Sequence, residues 1–181
     1  MKSLKTLKLV LISMLAIMMI AGCSGSSKQE WAYIHEPGVT ILSLSDNGKA
    51  VYNGVKYSYT LENDYLTLTD KDGNVLGMRF VPDDDRMLLY EPAVYEYTGE
   101  GEPDGLIGFW QEVDGNLSFE FTDKGTFRED YYSPGYYKVD EENGMIQLIY
   151  NDMYPDTFIY YHLDGRTLTV EYPWPVVPTE K

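Results

Sequence analysis

Leu117-Ser118-Phe119-Glu120-Phe121-Thr122 alternates apolar and polar side chains residue by residue, and the turn sequence Asp123-Lys124-Gly125 follows it directly. Successive side chains of an extended strand point to opposite faces, so this stretch offers one face to a core and one to water. A helix would need apolar residues three and four apart instead. The same period of two recurs in Tyr57, Tyr59 and Leu61 against Ser58, Thr60 and Glu62. It recurs again in Leu168, Val170 and Tyr172 against Thr167, Thr169 and Glu171. Between such runs stand Asn47-Gly48, Asn53-Gly54, Asp72-Gly73, Asp114-Gly115, Asn143-Gly144 and Asp164-Gly165. These pairs tolerate the positive φ angles of tight hairpins. The chain reads as all-β and antiparallel, and its 17 tyrosines and 14% aromatic share agree.

The runs come in two sets. Trp31 and Trp110 stand 79 residues apart, and Ser45-Asp46-Asn47-Gly48 echoes Thr122-Asp123-Lys124-Gly125 at a spacing of 77. From Tyr57 onward a spacing of 80 places Tyr57, Tyr59, Leu66 and Leu68 on Tyr137, Val139, Ile146 and Leu148. The same spacing brings Arg86, Leu88 and Tyr90 onto Arg166, Leu168 and Val170. This reads as a duplication, with one β-meander unit over residues 31–90 and a second over 106–172. Residues 91–105 hold two prolines, three glycines and five acidic residues, the composition of an acidic linker. Residues 173–181 begin Pro173-Trp174-Pro175-Val176-Val177-Pro178 and read as an extended Pro-rich tail, free to fold back over a sheet but unable to pair as a central strand, because proline lacks the ladder donor. Whether the units form two barrels or one larger sheet stays open at this level.

Residues 1–22 read as an address rather than as fold. Lys2, Lys5 and Lys8 precede an apolar run from Leu9 to Ile20 that only Ser13 interrupts, too short for an ordinary membrane span of about 20 residues. Ile20-Ala21-Gly22-Cys23 resembles the lipobox of bacterial lipoproteins. The resemblance implies a signal helix cleaved after Gly22, a diacylglycerol on the Cys23 sulfur, and residues 23–30 as a polar tether. It places the protein on the extracytoplasmic side of a bacterial cell membrane, held by that lipid. Cys23 is the one cysteine, which excludes an internal disulfide and a Cys-based zinc cluster. The net charge is −15; without residues 1–22, 11 basic residues face 29 acidic ones, a net −18. That charge repels nucleic acid and anionic membrane surfaces, leaving the anchoring to the lipid.

A second resemblance lies in Gly108-Phe109-Trp110, Asp123-Lys124-Gly125, Gly135-Tyr136-Tyr137 and Leu168-Thr169-Val170. Their order is similar to the small lipocalin-like repeats of bacterial lipoproteins of unknown function, over about residues 106–172. The first unit follows it more loosely, since no glycine precedes Trp31 in the matching place. The resemblance implies a meander closing into a barrel or half-barrel, with Trp110 plugging one end, and by fold analogy a small apolar ligand.

Nothing in the residues builds an enzyme or a cofactor site. His35 and His162 do not correspond under the repeat, and neither sits near a nucleophile signature or in a metal-type His spacing. A hydrolase would require His162 beside a carboxylate in a cleft. Asp70-Lys71-Asp72-Gly73-Asn74 carries calcium-type acids, yet Gly73 stands at position four of the loop and Val81 at position twelve, which breaks the EF-hand pattern. Two binding readings follow. In one, Phe119, Phe121, Tyr137 and Leu148 line an interior for a small apolar ligand or peptide. In the alternative, outward Tyr132, Tyr136 and Tyr161 form a face for an envelope protein.

Overall fold

A computed structural model describes residues 27–130, 133–151 and 154–179. The expected signal helix over residues 1–22, Cys23 and Tyr132 lie outside these residues. The first seven strands are β1 (Lys28–Tyr33), β2 (Thr40–Ser45), β3 (Lys49–Tyr52), β4 (Val55–Glu62), β5 (Tyr65–Thr69), β6 (Val75–Asp83) and β7 (Arg86–Tyr97). The next seven are β8 (Gly108–Glu112), β9 (Ser118–Phe121), β10 (Thr126–Glu129), β11 (Ser133–Asp140), β12 (Met145–Ile149), β13 (Thr157–Asp164) and β14 (Thr167–Pro178). Every neighbour pairs antiparallel, and the fold is all-β as the alternation requires. Strand for strand, the second set repeats the order of the first, and both sets end on a strand of 12 residues.

Those two long strands decide the architecture. The meander closes where β1 meets β14, and β7 also pairs with β14 from Thr167↔Glu96 to Val176↔Met87. The first half of β7 has β6 on its other edge, and its last three residues have β8. The first half of β14 has β13 on its other edge, and its end has β1. The continuous sheet is therefore pinched into two rings that share the β7·β14 ribbon. Strands β1–β6 with the start of β7 and the end of β14 form one ring of eight segments. Strands β8–β13 with the end of β7 and the start of β14 form the other.

An eight-stranded ring has an interior that side chains can just fill, and each ring holds its own core. Trp31, Leu42, Leu66, Leu68, Met78, Phe80, Leu89 and Val176 are buried in the first barrel. Trp110, Phe119, Phe121, Phe127, Ile146, Leu148 and Ile159 are buried in the second. Trp110 is wholly buried in the second core and donates its Nε1–H to the Leu106 carbonyl at 2.8 Å. The glycine before it has a reason. Gly108 adopts φ +134°, and a Cβ there would collide with the Tyr97 ring. Gly135 is equally constrained, since a Cβ would strike the Ile149 carbonyl and the Phe127 ring.

Two sequence expectations are corrected here. Residues 91–97, expected as the start of the linker, continue strand β7 into the second barrel. The Pro-rich tail, expected as unable to pair as a central strand, is the end of β14, which pairs with β7 and β1 and completes the first barrel. The reason lies in which edge each proline faces. Pro175 accepts a bond from Ile34 N–H through its carbonyl, so its missing donor points to the β1 edge, as does that of Pro173 two residues earlier. On that edge β13 has ended at Glu171, and β1 does not begin until Val176. Pro92 occupies the matching gap on β7, between β6 at Tyr90 and β8 at Tyr95. At the crossing the ladder has no partner for these donors, so proline is tolerated there. The rest of the connection is clasped by Arg166, which donates to the carbonyls of Tyr97, Gly99 and Gly101.

On the outer face of the ribbon, Arg79 of β6 bonds Glu171 of β14 at 3.0 Å and lies 3.8 Å from the Tyr160 ring centre. Tyr160 meets Tyr90 edge-on at 5.2 Å, tying the first barrel to the second. Because Val176 faces the first core and Val177 the opposite side, Val176→Asp is expected to cost at least about 3 kcal/mol, by burying an unpaired carboxylate. Val177→Asp should cost under about 1 kcal/mol by the same reasoning. Urea denaturation of the two variants decides this, and equal losses would refute the strand register.

Candidate functional site

Where the ribbon leaves one barrel for the other, the side chains on its barrel face change character. Glu91 follows Met87 and Leu89 in the inward row of β7, directly opposite Tyr172 of β14. The hydroxyls of Tyr33, at the end of β1, and Tyr52, at the end of β3, both donate to Glu91 Oε1, at 2.5 and 2.7 Å. At the mouth of the second barrel, Tyr150 donates to Glu129 Oε2 at 2.7 Å and lies 3.4 Å from the Tyr172 hydroxyl. Tyr52 and Glu129 hold the same place in β3 and β10, and Glu91 and Tyr172 the same place in β7 and β14. Each mouth thus carries one acid and one phenol at these two matching positions, exchanged between the barrels; Glu91 is bonded by Tyr52 and Tyr33, and Glu129 by Tyr150.

Electrostatics follow from this burial. Removal from water, the bond to Glu91 and the Glu91 charge push the Tyr33 and Tyr52 phenols far above their ordinary range, so both remain donors. Burial and the Glu129 charge do the same for Tyr150. Burial also raises the Glu129 carboxyl; the Tyr150 bond opposes the rise and the Asp130 charge adds to it. A ladder of rings continues from the acids to the surface. Tyr33 stacks on His35 at 5.4 Å, Trp174 lies 6.1 Å from Tyr33, and Tyr172 lies 5.5 Å from Trp174. His35 and Trp174 are exposed.

A second feature lies at the opposite end of the second barrel. An open pocket of about 540 Å³ there is lined by Leu106, Tyr137, Glu141, Tyr161 and His162, among others. A smaller groove of about 350 Å³ runs over Glu120, Phe127, Arg128 and Tyr136 on the outside of β9–β11.

Phe119, Phe121 and Leu148 are buried, with Phe121 5.6 Å from Phe119 and 5.0 Å from Tyr137, and neither pocket reaches those three. Tyr137 donates its hydroxyl to the Thr122 carbonyl at 3.0 Å and also lines the larger pocket. Tyr161 does not face outward; it packs against the second core and lines the same pocket, and its neighbour Tyr160 takes the outward place. Tyr136 is exposed on the groove. His162 shares the larger pocket with Asp104 and Glu141, and among the described residues no hydrogen bond joins it to either. Asp70 spends both carboxylate oxygens on its own hairpin, accepting from Asp72 and Asn74. Among the described residues no group of three His, Cys, Asp or Glu side chains could hold a metal ion.

Sequence reasoning missed the waist. Its one signal was an acid, Glu91, at the parity of Met87, Leu89 and Tyr95, where an apolar side chain was due. No known family model matches the chain, and neither a curated protein nor a solved structure matches it.

Folded Glu129 holds its proton more tightly than the unfolded chain does. Its contribution to stability is therefore fully present below the ordinary carboxylate range and is lost as pH rises through the raised value. Glu129→Gln keeps an acceptor for Tyr150 and removes that loss. Thermal melts across pH are expected to coincide for the two proteins in acid and to favour the variant at neutral pH. Parallel curves at all pH values would exclude the effect.

Proposed function

We propose that this chain is a lipid-anchored, non-catalytic binding protein on the extracytoplasmic face of a bacterial membrane. Its ligand is a small, partly apolar molecule or peptide held at the rim of the second barrel. The observation that carries this reading is the pocket of about 540 Å³, where Tyr137 and Tyr161 converge with Leu106, Ile107 and Leu163. Asp104, Glu141 and His162 stand among these aromatic and aliphatic walls, a mixed lining that suits a partly apolar ligand with a polar group. The rim is favoured over the interior because the rings of Phe119, Phe121, Phe127 and Tyr137 already pack against one another.

The lipobox-like Ile20-Ala21-Gly22-Cys23 supports the anchor. Ser27 N–H donates to Asp46 at 3.0 Å, so the tether would enter the first barrel at its β2–β3 turn. That end lies away from the waist, leaving the second barrel clear of the membrane. One observation favours an envelope protein as partner instead: Tyr136 is 53% exposed beside the outer groove.

Native mass spectrometry of residues 24–181 purified from the natural host is expected to find a bound mass that leaves on mild denaturation. Tyr161→Ala should lose it. A clean apo mass, together with capture of an envelope protein that Tyr136→Ala abolishes, would transfer the function to the groove. The anchor has its own check. The full-length protein from host membranes should carry a diacylglycerol adduct on Cys23, and Cys23→Ser should leave the precursor uncleaved and without lipid.

A further inference from the structure

We propose that the waist between the two barrels binds an alkylammonium group, with Glu91 as counter-charge and Trp174, Tyr172 and Tyr33 as the surrounding rings. This site is separate from the barrel-rim pocket and does not depend on it.

The molecule already builds this kind of site with its own side chains. On the outer face of the ribbon, the Arg79 guanidinium lies 3.8 Å from the Tyr160 ring centre while bonding Glu171 at 3.0 Å. The cation is held by a carboxylate and by the negative face of a ring together. On the inner face the same two kinds of partner recur. Glu91 stands opposite Tyr172 in the register, and cross-strand neighbours on one face lie within side-chain reach. Trp174 lies two residues along from Tyr172, 5.5 Å from its ring and 6.1 Å from that of Tyr33. Among the described residues no Lys or Arg pairs with Glu91.

Three features prepare the waist for a cation rather than for a neutral guest. Two phenols bond the same oxygen, Oε1, which orients the carboxylate and leaves Oε2 without a phenol donor. The phenols stay protonated, so they do not compete as charges. The chain carries −15, a field that concentrates small cations at its surface and repels anions. Access comes through Trp174, which is 36% exposed, and through exposed His35.

The test titrates the full-length chain with tetramethylammonium chloride and, separately, n-butylammonium chloride, following tryptophan fluorescence and heat. Trp31 and Trp110 are buried in the two cores, so a spectral shift reports Trp174. A saturable response at millimolar cation is expected, absent with sodium chloride at equal ionic strength and with neutral tert-butanol. Glu91→Gln keeps an acceptor for Tyr33 and Tyr52, so its melting temperature should hold while affinity falls by at least about tenfold. Tighter binding of n-butylammonium would point to a lysine-type side chain as the source. Tighter tetramethylammonium would point to a quaternary head group. A response shared by tert-butanol or sodium chloride, or affinity undiminished in Glu91→Gln, would overturn the proposal.

Discussion

The pairing of β7 with β14 is the constraint on which the rest of the molecule depends. Ten residue pairs run from Thr167↔Glu96 to Val176↔Met87, and this one ribbon serves as wall for both barrels. Without it the fourteen strands would form a single wide ring, too wide for side chains to fill. With it, each ring closes at eight segments and its interior reaches the packing that Trp, Phe and Leu side chains can supply. Neither barrel is made of contiguous chain. The first borrows Val176 from the last strand, and the second borrows Tyr95 and Tyr97 from the end of the first seven. The first barrel can close only when residues 176–178 pair with β1 at the other end of the chain, a contact of very long sequence separation.

The crossing also explains where polar chemistry collects. Along the ribbon an inward side chain enters one core, then the gap between barrels, then the other core. Leu89 and Tyr95 are buried, while Glu91 between them is not. A carboxylate at that point keeps partial contact with water and gains two phenol donors, so its charge is tolerated at low cost. The prolines belong to the same place for a backbone reason, since their missing donors face an edge that no strand occupies. Waist acids, waist rings and waist prolines are thus three consequences of one topological event.

Much of this was legible in the residues themselves. The alternation of Leu117 to Thr122 and the Asn-Gly and Asp-Gly punctuation determined strands and hairpins, because side-chain period and positive φ are local properties. Gly108 and Gly135 were legible only as members of a motif; the need for glycine at each comes from Tyr97, Phe127 and Ile149 on neighbouring strands. The spacing of 80 residues already paired β4 with β11, β5 with β12 and β7 with β14, each pair equal in length.

What only the tertiary structure decided was where each chain end goes. Proline and acid composition at 91–105 and 173–178 reads as linker and tail, since composition reports the backbone's preference and not its neighbours. Residues 91–96 and 173–176 lie in the shared wall, and their prolines are tolerated because the missing donors meet a gap, a fact set by strands far away in sequence. Tyr160 and Tyr161 show the same division. Their sequence fixes that the two rings oppose each other, but only the curvature of the second barrel decides that Tyr161 packs inward and Tyr160 meets Arg79. Alternation is a property of one strand, whereas inside and outside are properties of the closed sheet.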